Sequence, residues 1–155
     1  MLLIDEDDWP LVLLRWEPPI GVMDVGLYRV RFEDWLRRDR PFAVLSIQPA
    51  QPTIGSLHDV IHAPVWSREL RHRATQRCAA LACVVPDGRL HGTLAGAEAE
   101  RLQQLIGCRV GSFHDGDEAL RWLRGCLRGF EPPVVLADAG NRCSSRDAGD
   151  PSWPH

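Results

Sequence analysis

Leu11-Val12-Leu13-Leu14-Arg15-Trp16, stopped by Pro18-Pro19, is the stretch on which the fold turns. Six residues with a single charge, bounded by prolines, predict a strand. Its near-continuous apolarity predicts that both of its faces are covered, as in the interior of an α/β sheet. Upstream, Leu2 to Ile4 is a short apolar run, and Asp5 to Pro10 is a polar turn that contains Trp9. The chain therefore opens as a β-hairpin. Downstream, Met23 to Arg38 follows a helical period, with Val25, Tyr28, Phe32, Trp35 and Leu36 on one stripe. Pro41 cannot continue that helix, and Phe42 to Ile47 reads as a third, buried strand.

The same alternation runs on. Gln48 to Ser56 holds two prolines and a glycine and reads as a loop. A second helix is predicted after Pro64, which suits a first turn, through about Gln76, with Trp66, Leu70 and Ala74 facing inward. Cys78 to Val85 is a fourth apolar strand. Leu90 to Ile106 is mostly helical, with Leu94, Ala97, Leu102 and Ile106 inward, and Cys108 to Phe113 is a fifth strand. Asp115 followed by Glu118 three residues on is an N-terminal helix signal. Leu120, Leu123, Cys126 and Leu127 supply the buried face of that last helix. The order β-β-α-β-α-β-α-β-α predicts an α/β fold. Its mixed five-stranded sheet has the first strand antiparallel at an edge, about four helices and right-handed crossovers. A dinucleotide-binding reading fails, because there is no GxGxxG and the chain starts with a hairpin.

A domain over residues 1–128 follows, with residues 129–155 as an extended C-terminal tail. The tail holds four of the twelve prolines and no sustained period, and from Ala137 onward it reads as solvated.

The chain has 155 residues, of which 45% are hydrophobic and 25% charged, ordinary values for one globular domain. All 18 basic residues are Arg. The absence of Lys excludes Schiff-base chemistry and a P-loop lysine, and suggests a GC-rich bacterial genome. A net charge of −3 argues against nucleic-acid binding. No run reaches the roughly 20 apolar residues of a membrane span, and Met1 to Ile4 followed by Asp5-Glu6-Asp7-Asp8 is no secretion signal. Five cysteines, at 78, 83, 108, 126 and 143, form no CxxC, which fits reduced thiols in a cytoplasm. Cys78 and Cys83, five apart on one strand, are expected on opposite faces and so unable to chelate together.

The segments Asp8-Trp9-Pro10 into Leu13-Leu14-Arg15-Trp16, Trp35-Leu36 through Arg40 to Leu45, Arg77 to Pro86, Arg109-Val110 with Phe113, and Asp117 to Leu123 together resemble the SpoIIAA-like, or STAS/SEC14-type, group of small bacterial proteins. The resemblance covers residues 1–128 and implies a non-enzymatic switch that works by binding a protein partner. In such switches a Ser after the third strand is phosphorylated by a partner kinase. Here that segment lacks the Asp-Ser-Ser or Asp-Ser-Gly pattern, and Thr53 and Ser56 are its only hydroxyls. SEC14-type relatives hold lipids in an apolar cavity beside the sheet, which implies an apolar ligand as the alternative.

Three features carry candidate chemistry. Arg68, Arg71, His72, Arg73 and Arg77 form the densest basic cluster, suited to fork hydrogen bonds onto a carboxylate or phosphate, which points to an acidic protein partner or an anionic headgroup. Glu69 is expected to balance part of this charge. His58 and His62, four apart, resemble half of a zinc site and would serve a metal-dependent hydrolase, but the sequence marks no third ligand, Glu69, His72 and His91 being the residues that could be imagined there. Ala63-Pro64 leaves room for at most one helical turn there. Gly88 before Leu90 could present backbone N–H groups to an anion. Asp115-Gly116-Asp117-Glu118 lacks the spacing of a calcium loop and reads as a helix cap. Tyr28 is read as core. No cofactor is expected, and no nucleophile stands at a recognisable spacing from a base.

Overall fold

In a computed structural model of the chain, the described residues are 1–48, 67–85, 100 and 103–132. They form strands β1 (Leu2–Asp5), β2 (Leu11–Trp16), β3 (Phe42–Ile47), β4 (Cys78–Val84) and β5 (Arg109–Phe113), with helices α1 (Val22–Arg37), α2 (Arg68–Arg77) and α3 (Gly116–Arg128). Residues 100 and 103–106 are also helical. The sheet runs β1-β2-β3-β4-β5, in sequence order. β1 is antiparallel to β2, and every later pair is parallel. The mixed α/β sheet with an N-terminal hairpin is as the sequence predicts.

Local chemistry sets the boundaries. Asp24 accepts the backbone N–H groups of Gly21 and Leu2, both at 2.9 Å, which caps α1 and ties its start to β1. α2 begins at Arg68 because Ser67 Oγ accepts the Leu70 N–H at 3.1 Å. The helix start is thus later than the one expected at Pro64. Asp115 caps α3 by accepting from Asp117 and Glu118 at 2.6 and 3.1 Å, so the acidic run is a cap.

Two cores flank the sheet. On the first face, Tyr28, Phe32, Trp35 and Leu36 of α1, Leu70 and Ala74 of α2, and Ile106 pack on Val12, Leu14, Trp16, Phe42, Val44 and Leu81. The described parts of the three crossovers that pack on the sheet do so on this face, as one hand requires when strands are laid down in one direction. Trp16, Tyr28, Phe32, Trp35 and Phe42 are linked by ring contacts with centroids 5.6–6.1 Å apart, each adding to the burial of large apolar surface. On the second face, α3 sets Ala119, Leu123 and Cys126 against Ala43, Leu45, Ala80, Ala82 and Val84. The alanines there let the helix approach closely.

Two sequence expectations are corrected. β2 is covered fully on one face and only in part on the other: Val12, Leu14 and Trp16 are buried, Leu11 and Leu13 are half-buried against the second core, and Arg15 is exposed. α3 is the one described helix on that side, and it lies over β3 and β4. Cys78 and Cys83 do not point to opposite faces. Phe42 pairs with Cys78 but Ala43 with Ala80, so Ala79 is an extra residue, a β-bulge. The bulge restores parity, and both thiols join the first core.

Leu94, Ala97, Leu102, Pro64, Trp66 and the tail from residue 133 lie outside the described residues. Ile106 is buried as expected, while Leu120 and Leu127 are half-buried. Among the described residues, no helix is long and apolar enough to cross a membrane.

Candidate interaction surface

α2 is a ten-residue helix that buries only Leu70 and Ala74. Its remaining surface carries the basic cluster. Arg68 and His72 are exposed, and Arg71, Arg73 and Arg77 are half-buried. Arg77 spends one N–H on the Asp39 carbonyl at 2.9 Å. Arg71 Nε is buried with no hydrogen-bond partner among the described residues. Glu69 does not balance this charge: among the described residues, no carboxylate lies within 4.0 Å of Arg68, Arg71, Arg73 or Arg77.

The arginines of α1 behave otherwise. Arg29 pairs with Glu33 at 3.1 Å, and Arg37 with Asp34 at 2.7 Å. Arg31 lies 3.9 Å from Glu6, and Arg38 binds Glu6 directly while its guanidinium sits 4.1 Å over the Trp9 ring. Glu6 also accepts the Trp35 indole N–H at 3.0 Å. Burial disfavours ionisation of Glu6, but the hydrogen bonds from Trp35 and Arg38 and the charges of Arg38 and Arg31 outweigh it and hold its carboxyl below the usual range. The cations of α1 and its C-cap are paired, two of them with Glu6 of the hairpin turn, and those of α2 are not.

The structure adds residues that the sequence reading missed. Val22 is 88% exposed, Met23 86%, Val30 58% and Leu27 43%. Met23, Leu27 and Val30 recur at i, i+4 and i+7, opposite the buried stripe. A solvent-facing helix side is normally polar, so this second apolar row is anomalous. The signal was legible: between Met23 and Tyr28 the helix carries one charge, Asp24, and that residue is a cap. α1 and α2 touch each other and pack on the same sheet face, so the apolar row and the basic face belong to one side of the molecule.

A cavity of about 370 Å³ lies at the amino ends of β4 and β5. Thr75, Cys78, Cys108 and Cys126 line it, with Arg109 and Glu131 contributing charge. Its walls are not those of a lipid tunnel. The Cys108 side chain, hydrogen-bonded to Cys78, and then burial push the Cys78 thiol up, so it stays protonated at neutral pH and is a poor nucleophile or ligand. Burial likewise pushes the Tyr28 hydroxyl up, and Tyr28 is core, as read.

Thr53, Ser56, His58, His62, Gly88 and His91 lie outside the described residues. Among the described residues, no group of three His, Cys, Asp or Glu side chains could hold a metal ion. Cys78, Cys83, Cys108 and Cys126 are buried, and among the described residues none is in a disulfide. Neither a family model, nor a curated protein, nor a solved structure matches this chain.

Proposed function

We propose that the protein is a non-enzymatic, cytoplasmic interaction module of the STAS-like type that docks an acidic protein surface on α2. The observation that carries this is the contrast between the two helices of one layer. Arg68, Arg71 and Arg73 stand without carboxylate partners among the described residues, whereas Arg29, Arg31, Arg37 and Arg38 of the neighbouring segment are all paired. Unpaired guanidinium groups on one face are what a carboxylate-bearing partner recognises by charge-assisted, two-pronged hydrogen bonds. The sequential strand order behind an N-terminal hairpin supports the family type.

The test begins with a partner captured in the protein's own host, identified and purified. Arg68→Glu with Arg71→Glu and Arg73→Glu should weaken its binding at least 100-fold with the fold retained. His58→Ala with His62→Ala should leave binding unchanged. If the arginine changes are silent and the histidine pair is essential, the metal-hydrolase alternative replaces this reading.

The cavity favours a second reading, a small-ligand-binding domain. Its size suits a compact ligand, and its thiol, hydroxyl and charged walls suit a polar one. Native mass spectrometry of protein purified from its host would show such a ligand as added mass.

A further inference from the structure

Cys78 and Cys108 are neighbours at the amino ends of β4 and β5, and the bulge in β4 makes them so. The two strands pair from Ala80 and Arg109 onward, and by the same register Cys108 stands beside Ala79. In a regular strand Cys78 would share the parity of Ala80 and face the second core. The extra residue at Ala79 turns it onto the first face, where Cys108 also points. The Cys78 thiol and the Cys108 side chain are hydrogen-bonded. Both line the cavity of about 370 Å³, whose walls include the exposed Arg109, Gly129 and Glu131. The pair is buried, yet it borders a space that reaches the surface. Cys83, the other thiol of the first core, is level with Ser112 further along the strands. Cys126 reaches the cavity from the second core.

We propose that Cys78 and Cys108 are an oxidisable pair that closes to a disulfide when a small hydroperoxide enters this cavity. Two thiols in contact can lose two electrons together, which an isolated core thiol cannot. Cys78 keeps its proton and donates it to Cys108, so Cys108 is the sulfur that attacks. It takes the terminal oxygen of the hydroperoxide, the O–O bond breaks, and water or an alcohol leaves, with Cys108 now a sulfenic acid. The charge on Cys108 that opposed ionisation of Cys78 is then gone. The Cys78 sulfur displaces the hydroxyl: the S–S bond forms, the S–O bond breaks, and the Cys78 proton leaves with the hydroxide as water. Two thiols have given up two electrons and two protons, and the hydroperoxide has gained them. A resting dithiol suits a reducing compartment, where the disulfides that do form are transient and redox-sensing. The inference is independent of whether α2 docks a partner.

The reduced full chain, treated with hydrogen peroxide under native conditions, should lose two of its five thiols and regain both with dithiothreitol. Peptide mapping after alkylation should join the peptides that carry Cys78 and Cys108. Cys78 and Cys83 share one tryptic peptide, so fragmentation spectra must place the bridge at Cys78. Cys78→Ala should stop at the sulfenic acid, trapped by dimedone on Cys108, and Cys108→Ala should give neither a disulfide nor an adduct. The wild-type map decides the matter even where a variant fails to fold. Retention of all five thiols overturns the inference. A bridge that uses Cys83, Cys126 or Cys143 in place of either residue also overturns it, as does oxidation of Cys108 to a sulfinic acid with no bridge formed.

Discussion

The Trp16 indole N–H donates to the Ser46 hydroxyl at 3.0 Å between neighbouring strands β2 and β3, and both residues are buried. Ser46 is the one buried polar side chain among the described core residues, and it also accepts from Gln48 at 2.9 Å. Ser46→Ala removes the acceptor and leaves the Trp16 N–H desolvated, so it should cost about 1–3 kcal/mol. Urea unfolding followed by Trp fluorescence would measure it. A loss below 0.5 kcal/mol would mean that the indole finds another acceptor.

Glu6 fastens the hairpin turn to α1. Glu6→Gln keeps an acceptor for Trp35 but removes the charge that Arg38 and Arg31 face, and should cost about 1–2 kcal/mol at neutral pH. The folded-state carboxyl titrates below its ordinary value of 4.5. Its contribution is therefore fully present above that value and is lost as pH falls through the lower, folded value. The stability gap between wild type and Glu6→Gln should close as pH falls through that window. A gap independent of pH would show that the charge contributes nothing.

Gly107 adopts φ +84°, and a Cβ there would stand 2.6 Å from Thr75 Oγ1 and 2.9 Å from the Arg71 carbonyl oxygen. Gly107→Ala combines left-handed strain with a clash against backbone, and should destabilise by about 2–4 kcal/mol. Adding Thr75→Ala should recover little, because the carbonyl remains. Full recovery in the double variant would place the whole effect on the hydroxyl.

The second sheet face is unevenly covered, so equal truncations on it should differ. Leu123→Ala empties a fully buried site under α3 and should cost about 2–5 kcal/mol. Leu13→Ala, only half-buried at the margin of the cluster under α3, should cost about 1 kcal/mol, by the area it removes from water. Matched denaturation curves compare them directly, and equal losses would mean that residue 13 is covered as well as residue 123.

Much of the architecture was legible because it follows from period and punctuation. β3 occupies Phe42 to Ile47, as its apolar run and the preceding Pro41 dictate, and Asp115 starts α3. What escaped was set by single residues whose effect is not periodic. The bulge at Ala79 reverses side-chain parity, and nothing in Cys78-Ala79-Ala80 announces it. α1 was read from its strongest stripe, which hid the weaker apolar row opposite. The open half of the second face was invisible for another reason: how far α3 extends across the sheet depends on its packing angle, which no local pattern encodes. For the candidate surface, the sequence located the arginines of α2 but could not say which of the chain's cations already had partners.

The sheet is laid down in the order in which it is made. Each strand leaving the ribosome finds its neighbour already in place, so no early strand waits for a distant one. The first core can close progressively, one crossover at a time. The second cannot, because α3 is synthesised after every strand it covers. Until then Ala43, Leu45, Ala80, Ala82 and Val84 face water. That bare alanine-rich face is the stage of synthesis at which a nascent chain most needs a chaperone's protection, and a ribosome stalled within α3 should display it.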